Sequence, residues 1–278
     1  MAEPLTIATP AGTLDALAAG PADGRRVLLL HGFPQCSREW DRQLEALAAF
    51  GYRAVAVDQR GYSPGLRPDP VEQYARPVVA ADVVAVLDAL GWERADLVGH
   101  DWGAVAAWDV AITAPDRLRT LTAISVPHPD VWALAVERDP GQRERLGYMA
   151  FMARDDAAAL LREHDGRRQR AMFQGVVPHD QADAHVARLA APGAMEAALR
   201  WYRALPLGGP SGPVTTPTLF VWGSEDLAFG RAAAEAVAEQ VTGPYRLAVL
   251  DGITHWVPEQ APEQLNGLLL EHLAAHPG

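Results

Sequence analysis

The stretch Ala95-Asp-Leu-Val-Gly-His-Asp101-Trp-Gly103 constrains this chain more than any other. Asp96-Leu-Val reads as a buried strand, and Ala104 to Ile112 reads as a helix. Between them, Gly99-His-Asp101-Trp-Gly103 forms a G-x-D-x-G pattern. Strand, G-x-nucleophile-x-G and helix, in that order, describe a nucleophile elbow. The glycines allow a backbone turn that a Cβ would block. The central side chain then stands at the top of the sheet, above a helix N-terminus. Ser is usual at that position, and Asp101 replaces it here. A carboxylate is already an anion at neutral pH, so it attacks without help from a base. Its natural target is a saturated carbon with a leaving group, and the product is an ester on the protein. A helix-capping Asp would give the same local pattern, so partner motifs elsewhere must decide.

A length of 278 residues fits one large domain, or one domain carrying an insert. With 49% hydrophobic residues the chain can bury a sizeable core. A net charge of -11 argues against a nucleic-acid partner. No apolar run approaches the roughly 20 residues that span a bilayer. The N-terminus, Met1-Ala-Glu-Pro-Leu-Thr, lacks the basic and apolar regions of a signal peptide. The single cysteine, Cys36, cannot form an internal disulfide and reads as structural; a cytoplasmic location is expected. All 24 basic residues are Arg, which excludes Schiff-base chemistry, lysine-held pyridoxal phosphate and a P-loop.

Taken in order, Leu5 to Thr9 and Thr13 to Ala18 alternate across Pro10-Ala-Gly12 and predict a hairpin. Arg26 to Leu30 is continuously apolar after its first residue, as in a central strand covered on both faces. A helix from about Glu39 to Ala49, a strand Arg53 to Val57 and a helix Val78 to Leu90 lead to the Asp101 unit. Arg119 to Ser125 adds a strand. Such alternation predicts an α/β fold with a mostly parallel, doubly wound sheet. It stops between about Pro127 and Pro206, where only helical segments are visible, and resumes at Pro217 to Trp222 and Tyr245 to Leu250. The expected organisation is a core of residues 1–126 and 207–278 with a helical cap at 127–206.

Partner motifs follow the elbow in a telling order. Strand Thr218 to Trp222 ends in a turn carrying Glu225 and Asp226, and strand Tyr245 to Leu250 is followed by a loop containing His255. Nucleophile, acid, then His is the order of an α/β-hydrolase. His255 can act as base when a carboxylate holds its other nitrogen. Asp226 is assigned to that role, with the adjacent Glu225 as the alternative. His31-Gly-Phe-Pro34 follows an early strand, at the place where an oxyanion loop is expected. The backbone N–H groups of Phe33 and Trp102 are then the candidate oxyanion donors. His31 and His100 read as shaping the two turns. His128, His164, His179, His185, His272 and His276 show no metal-ligand spacing, so no metal site is expected.

His31-Gly-Phe-Pro34, Gly99-His-Asp-Trp-Gly103, the acid after Trp222-Gly and Gly252-Ile-Thr-His255-Trp together resemble the epoxide hydrolases of α/β-hydrolase fold. The resemblance spans nearly the whole chain and is weakest in the insert. It implies two insert tyrosines that hydrogen-bond the epoxide oxygen. Tyr148, in Gly147-Tyr-Met-Ala-Phe151, and Tyr202, in Arg200-Trp-Tyr-Arg203, match the local contexts. A neutral phenol can protonate the alkoxide that an opening epoxide leaves. The resemblance also implies a cis bond at Phe33-Pro34, a small apolar epoxide-bearing substrate, water as co-substrate and no cofactor. Trp132, Met149, Phe151, Met152 and Phe173 are the expected pocket lining, because such sites are mostly apolar. The Asp nucleophile is shared with haloalkane and fluoroacetate dehalogenases. Those need N–H donors for a halide, for which Trp102 with Trp132 or Trp201 are the candidates here. A catalytically silent binding protein of the same fold is the third reading, and the complete set of Asp101, His255 and Asp226 argues against it.

Overall fold

The computed structural model describes residues 2–277. Along it run β1 (Glu3–Thr9), β2 (Gly12–Ala19), β3 (Arg25–Leu30), α1 (Asp41–Ala49), β4 (Tyr52–Val57), α2 (Arg76–Ala89), β5 (Ala95–His100), α3 (Trp102–Thr113) and β6 (Leu118–Ile124). Helices α4 (Pro129–Arg138), α5 (Pro140–Arg145), α6 (Tyr148–Met152), α7 (Ala157–Met172), α8 (His179–Ala190) and α9 (Ala194–Ala204) come next without an intervening strand. The chain then returns through β7 (Thr218–Gly223), α10 (Arg231–Ala236), β8 (Tyr245–Leu250), α11 (Val257–Gln260) and α12 (Pro262–Ala275).

Among the described residues the strands form one eight-stranded sheet in the order β1-β2-β4-β3-β5-β6-β7-β8. The β1–β2 hairpin is antiparallel, β2 joins β4 antiparallel, and every later pairing is parallel. The interior strands are apolar on both faces because helices cover both. Side chains alternate across the sheet. Val27 and Leu29 therefore share a core with Leu44 and Leu47 of α1 and with Leu265, Leu269 and Leu273 of α12. Leu28 and Leu30 point the other way, to Val79 and Val83 of α2 and Ala104 and Ala107 of α3. Each such Leu or Val contributes roughly 1.5–3 kcal/mol when fully buried. Helix α3 lies under the α4–α9 segment and against the sheet, and its residues from Trp102 to Ala111 are all buried. That explains an apolar sequence with no polar face.

The α4–α9 segment crosses the C-terminal ends of the strands, where an α/β sheet offers its crevice. Helix α7 is broken at residues 163–166, where His164, Asp165 and Gly166 all have positive φ. The chain therefore changes direction within a stretch that the sequence pattern reads as helical. Helix α8 ties this segment to the sheet through Arg188, which pairs with Asp58 beyond β4 and with Asp15 of β2. Helix α5 ties it to the loop after β7: Gln142 donates to the Ala228 carbonyl at 2.6 Å and accepts from the Gly230 N–H at 3.0 Å.

Candidate active site

Asp101 sits at the junction of β5 and α3 with φ 51° and ψ -120°. This region costs a non-glycine residue about 1–3 kcal/mol. The turn is possible only because Gly99 and Gly103, two residues to either side, lack side chains. A Cβ on Gly99 would stand 2.2 Å from the Gly103 carbonyl oxygen, and one on Gly103 would stand 2.0 Å from that of Leu30. The opposing loop is equally close: a Cβ on Gly32 would lie 2.3 Å from the Asp101 Cβ. The Asp101 carboxylate therefore faces the loop after β3 at contact distance.

The two oxygens of Asp101 have different surroundings. Oδ1 accepts from the Phe33 N–H at 2.8 Å. Trp102 is the first residue of α3, so its N–H also has no acceptor within the helix. Oδ2 faces Nε2 of His255 at 3.3 Å. On the far side of the ring, Nδ1 of His255 meets Oδ2 of Asp226 at 2.9 Å. The other Asp226 oxygen accepts from the N–H groups of Ala228 and Phe229, at 2.7 and 3.2 Å. Glu225 is exposed and turned away from this chain of contacts. The Phe33–Pro34 bond is cis.

Burial alone would push the Asp101 carboxyl up, but the hydrogen bond and charge of His255 outweigh it, and Asp101 is held below the usual carboxylate range. Burial would likewise push His255 down, but the charge of Asp226 and the hydrogen bonds to Asp101 and Asp226 raise it to about 10. In the free protein the ring is thus an imidazolium between two carboxylates.

A further layer fixes the His255 backbone. Its carbonyl oxygen accepts from Nε2 of His100 and Oγ of Ser125, both at 2.9 Å. His100 in turn meets Oε1 of Glu39 at 2.6 Å through Nδ1. Burial raises the Glu39 carboxyl, against the pull of His100. His31 shapes the loop after β3 from inside: Nε2 accepts from the Gln59 N–H at 3.1 Å and Nδ1 donates to the Gly32 carbonyl at 2.8 Å. Burial keeps that ring neutral by lowering its pKa to about 4.

Above Asp101 lies a cavity of about 310 Å³. Asp101, His255, Phe33, Tyr148, Tyr202 and Met152 all line it. Tyr202 is buried, edge-on to Trp102 at 5.0 Å and to Phe33 at 5.4 Å between ring centroids. Tyr148 is 38% exposed as a residue. It lines the cavity all the same, and its phenol is raised well above the usual value, by desolvation first and then by the charges of Asp101 and Asp226. Burial raises Tyr202 as well, with Tyr148 and Asp101 adding to it. Both phenols are therefore neutral donors at physiological pH.

Of the five residues expected to line the pocket, only Met152 does. Trp132 packs behind Trp102, at 6.3 Å between rings, and lines a separate cleft of about 250 Å³. Phe173 is buried against Trp256 and His185. Met149 and Phe151 pack on the main apolar core instead. The rest of the lining comes from Arg145, Met172, Gln174, Leu227, Ala228 and Trp256. Trp256 directly follows His255 and was within reach of the sequence motif. Leu227 and Ala228 likewise follow Asp226 in the loop after β7, whereas Arg145, Met172 and Gln174 depend on how α5 and α7 turn, and no local pattern announces them.

Residues 25–262 match the α/β-hydrolase fold family, and the chain belongs to it. Over 94% of both chains it is 35% identical to the AB hydrolase superfamily protein YfhM of Bacillus subtilis. It is 32% identical to Epoxide hydrolase A of Mycobacterium tuberculosis, over 92% of each. Among solved structures, an epoxide hydrolase from hot-environment metagenomes superposes with a TM-score of 0.89 at 28% identity, covering 99% of each chain. Within the family the chain therefore falls in the epoxide-hydrolase branch of the α/β-hydrolase superfamily.

Proposed function

We propose that this protein hydrolyses epoxides to vicinal diols in two chemical steps through an ester on Asp101. The observation that carries this reading is the meeting, in one cavity, of a carboxylate–imidazole–carboxylate chain with two neutral phenols. The α4–α9 segment acts as the cap that brings the phenols there.

In the first step Oδ2 of Asp101 attacks a ring carbon, since Oδ1 is committed to the Phe33 N–H. The ring C–O bond breaks, and Tyr148 or Tyr202 gives the departing oxygen its proton. The remaining hydroxyalkyl ester is uncharged. That change prepares the second step. His255 loses an anionic neighbour that helped to raise it to about 10, so its pKa falls, its proton passes to the phenolate, and the neutral ring becomes a base. It takes a proton from water, and the hydroxide adds to the ester carbon. Oδ1 becomes the anion, facing the N–H groups of Phe33 and Trp102. Collapse expels the diol alkoxide, which takes the proton from His255. The proton left on the Asp101 carboxyl passes to His255 and restores the starting imidazolium. Asp226 accepts from Nδ1 throughout and fixes the ring.

Dehalogenation with the same Asp is less well served. The Trp201 indole N–H is committed to the Arg60 carbonyl at 2.9 Å, and Trp132 faces another cleft. Neither is available as a second halide donor beside Trp102.

The test is a single turnover with enzyme in excess over a simple styrene-type epoxide in heavy-oxygen water. The label is expected in the Asp101 carboxylate and not in the diol, because water attacks the ester carbon. Label in the diol alone would mean direct attack on the epoxide and would overturn the two-step reading.

A further inference from the structure

A second relay of nucleophile, imidazole and carboxylate lies outside the cavity. Sγ of Cys36 is 3.2 Å from Nδ1 of His185, and Nε2 of His185 is 2.7 Å from Oε1 of Glu259. Oε2 of Glu259 accepts from Nε2 of Gln35 at 2.6 Å. The side chains come from different places in the chain: Cys36 from the loop that carries Phe33, His185 from α8, and Glu259 from α11, just after His255. They form a line and do not surround a point, and among the described residues no group is placed to hold a metal.

Three observations separate this arrangement from a passively packed thiol. A well-packed apolar core would serve a structural cysteine better than a histidine–carboxylate pair, whose desolvation is costly. Cys36 also forms part of the wall of a cleft of about 470 Å³ between the β1–β2 edge and α8, together with Leu5, Leu17, Asp58, Ala184 and Arg188. Finally, Oε1 of Gln35 is buried without a partner, an acceptor on the residue next to the sulfur. The imidazole is tuned as such a relay needs. Burial would lower His185, but the sulfur and Glu259 outweigh it and make the ring a stronger base, able to take up the thiol proton at Nδ1.

We propose that Cys36 is a reactive thiol, activated by His185 and Glu259, and that hydrogen peroxide oxidises it to a sulfenic acid that loosens α8 from the core. The thiol proton passes to Nδ1 of His185. The thiolate attacks one peroxide oxygen, an S–O bond forms and the O–O bond breaks. The hydroxide that leaves takes the proton back from His185 as water. Sulfur is oxidised by two electrons and peroxide is reduced, so the step needs no other reactant. Cys36 is only 2% exposed, which admits a water-sized oxidant and hinders a bulky one. The new oxygen enters a gap that now holds only a hydrogen bond, so His185 must move, and α8 with it.

Cys36 is the only cysteine, so a dione probe specific for sulfenic acid reports this site alone. The whole protein is treated with hydrogen peroxide, folded and in denaturant; each sample is then quenched, unfolded and labelled with the dione, and the adduct is followed by intact mass. The folded thiol is expected to react about tenfold faster than the unfolded one, as an activated thiolate does. A bulky aromatic disulfide should show the opposite preference. His185→Gln should abolish the advantage of the folded state. Cys36→Ser should give no adduct while keeping epoxide turnover. Oxidation should lower the melting temperature, and a small thiol should restore it. A folded thiol slower with peroxide than the unfolded one would overturn the proposal, and this comparison needs no variant. Full oxidation without a change in melting temperature would overturn the loosening of α8.

Discussion

The backbone N–H of Phe33 donates to Oδ1 of Asp101 at 2.8 Å. In the proposed mechanism a donor suited to an oxyanion is therefore already aimed at the oxygen that would become one, and Oδ2 is left toward His255. The arrangement rests on the absence of a side chain at Gly32, where a Cβ would collide with Asp101 at 2.3 Å. Gly32→Ala is expected to push the loop away and lower kcat about 10²–10³-fold, the usual loss for one oxyanion donor. Steady-state kinetics with circular dichroism checks this. A folded variant with unchanged kcat would remove Phe33 from the mechanism.

Tyr148 and Tyr202 share the cavity with Asp101, and each phenol is held neutral. Tyr148→Phe and Tyr202→Phe should each slow epoxide opening, because one phenol can partly cover for the other. The double variant should lose about 10²–10⁴ in the rate of ester formation. Rapid-mixing measurement of tryptophan fluorescence follows that step, since Trp102 and Trp256 flank Asp101 and His255. A fully active double variant would mean that the proton comes from elsewhere.

Gln142 shows how the cap and the acid loop support each other. Its amide holds the Ala228 carbonyl and the Gly230 N–H, in the loop whose N–H groups hold Asp226. Gln142→Ala leaves two backbone groups without their partner and should cost about 2–4 kcal/mol in stability. Urea unfolding gives the magnitude. A smaller loss of ester hydrolysis than of ester formation would show that the clamp serves Tyr148 more than Asp226.

The sheet and the Asp101–His255–Asp226 chain were legible because each depends on local signals in a set order. Glycines at 99 and 103 are demanded by contacts of 2.2 and 2.0 Å, and the apolar runs by helices on both faces. The pocket lining was not legible for a physical reason. Trp132 and Phe151 are apolar residues on α4 and α6, and Phe173 lies just beyond α7; apolarity alone does not say whether a side chain faces a cavity or a core. The break at residues 163–166 then redirects the second half of α7, so Met172 and Gln174 reach the cavity and Phe173 turns to Trp256. His185 and Glu39 were missed for a related reason. Their partners, Glu259 and His100, are distant in sequence and met only through the fold.

His255→Gln separates the two steps and tests the electrostatics of the site. Asp101 is anionic without a base, so the variant should still form the ester, but glutamine cannot deprotonate water and the ester should accumulate. Intact mass should show one added substrate mass, located at Asp101 by peptide mapping. The pH dependence of ester formation should change in a defined direction. In the intact protein His255 is the main influence that holds Asp101 below the usual range, against burial. Removing it leaves burial, which raises the pKa of a carboxyl. Ester formation requires the ionised form, so its acid limb should move to higher pH in the variant. The alkaline side should stay flat to about pH 9, because both phenols are held above their usual value of about 10 and keep their protons there. The rate of adduct formation measured from about pH 5 to 9 decides the matter. An acid limb that stays in place would show that His255 does not set the charge of Asp101, and a folded variant giving neither adduct nor diol would sink the two-step mechanism.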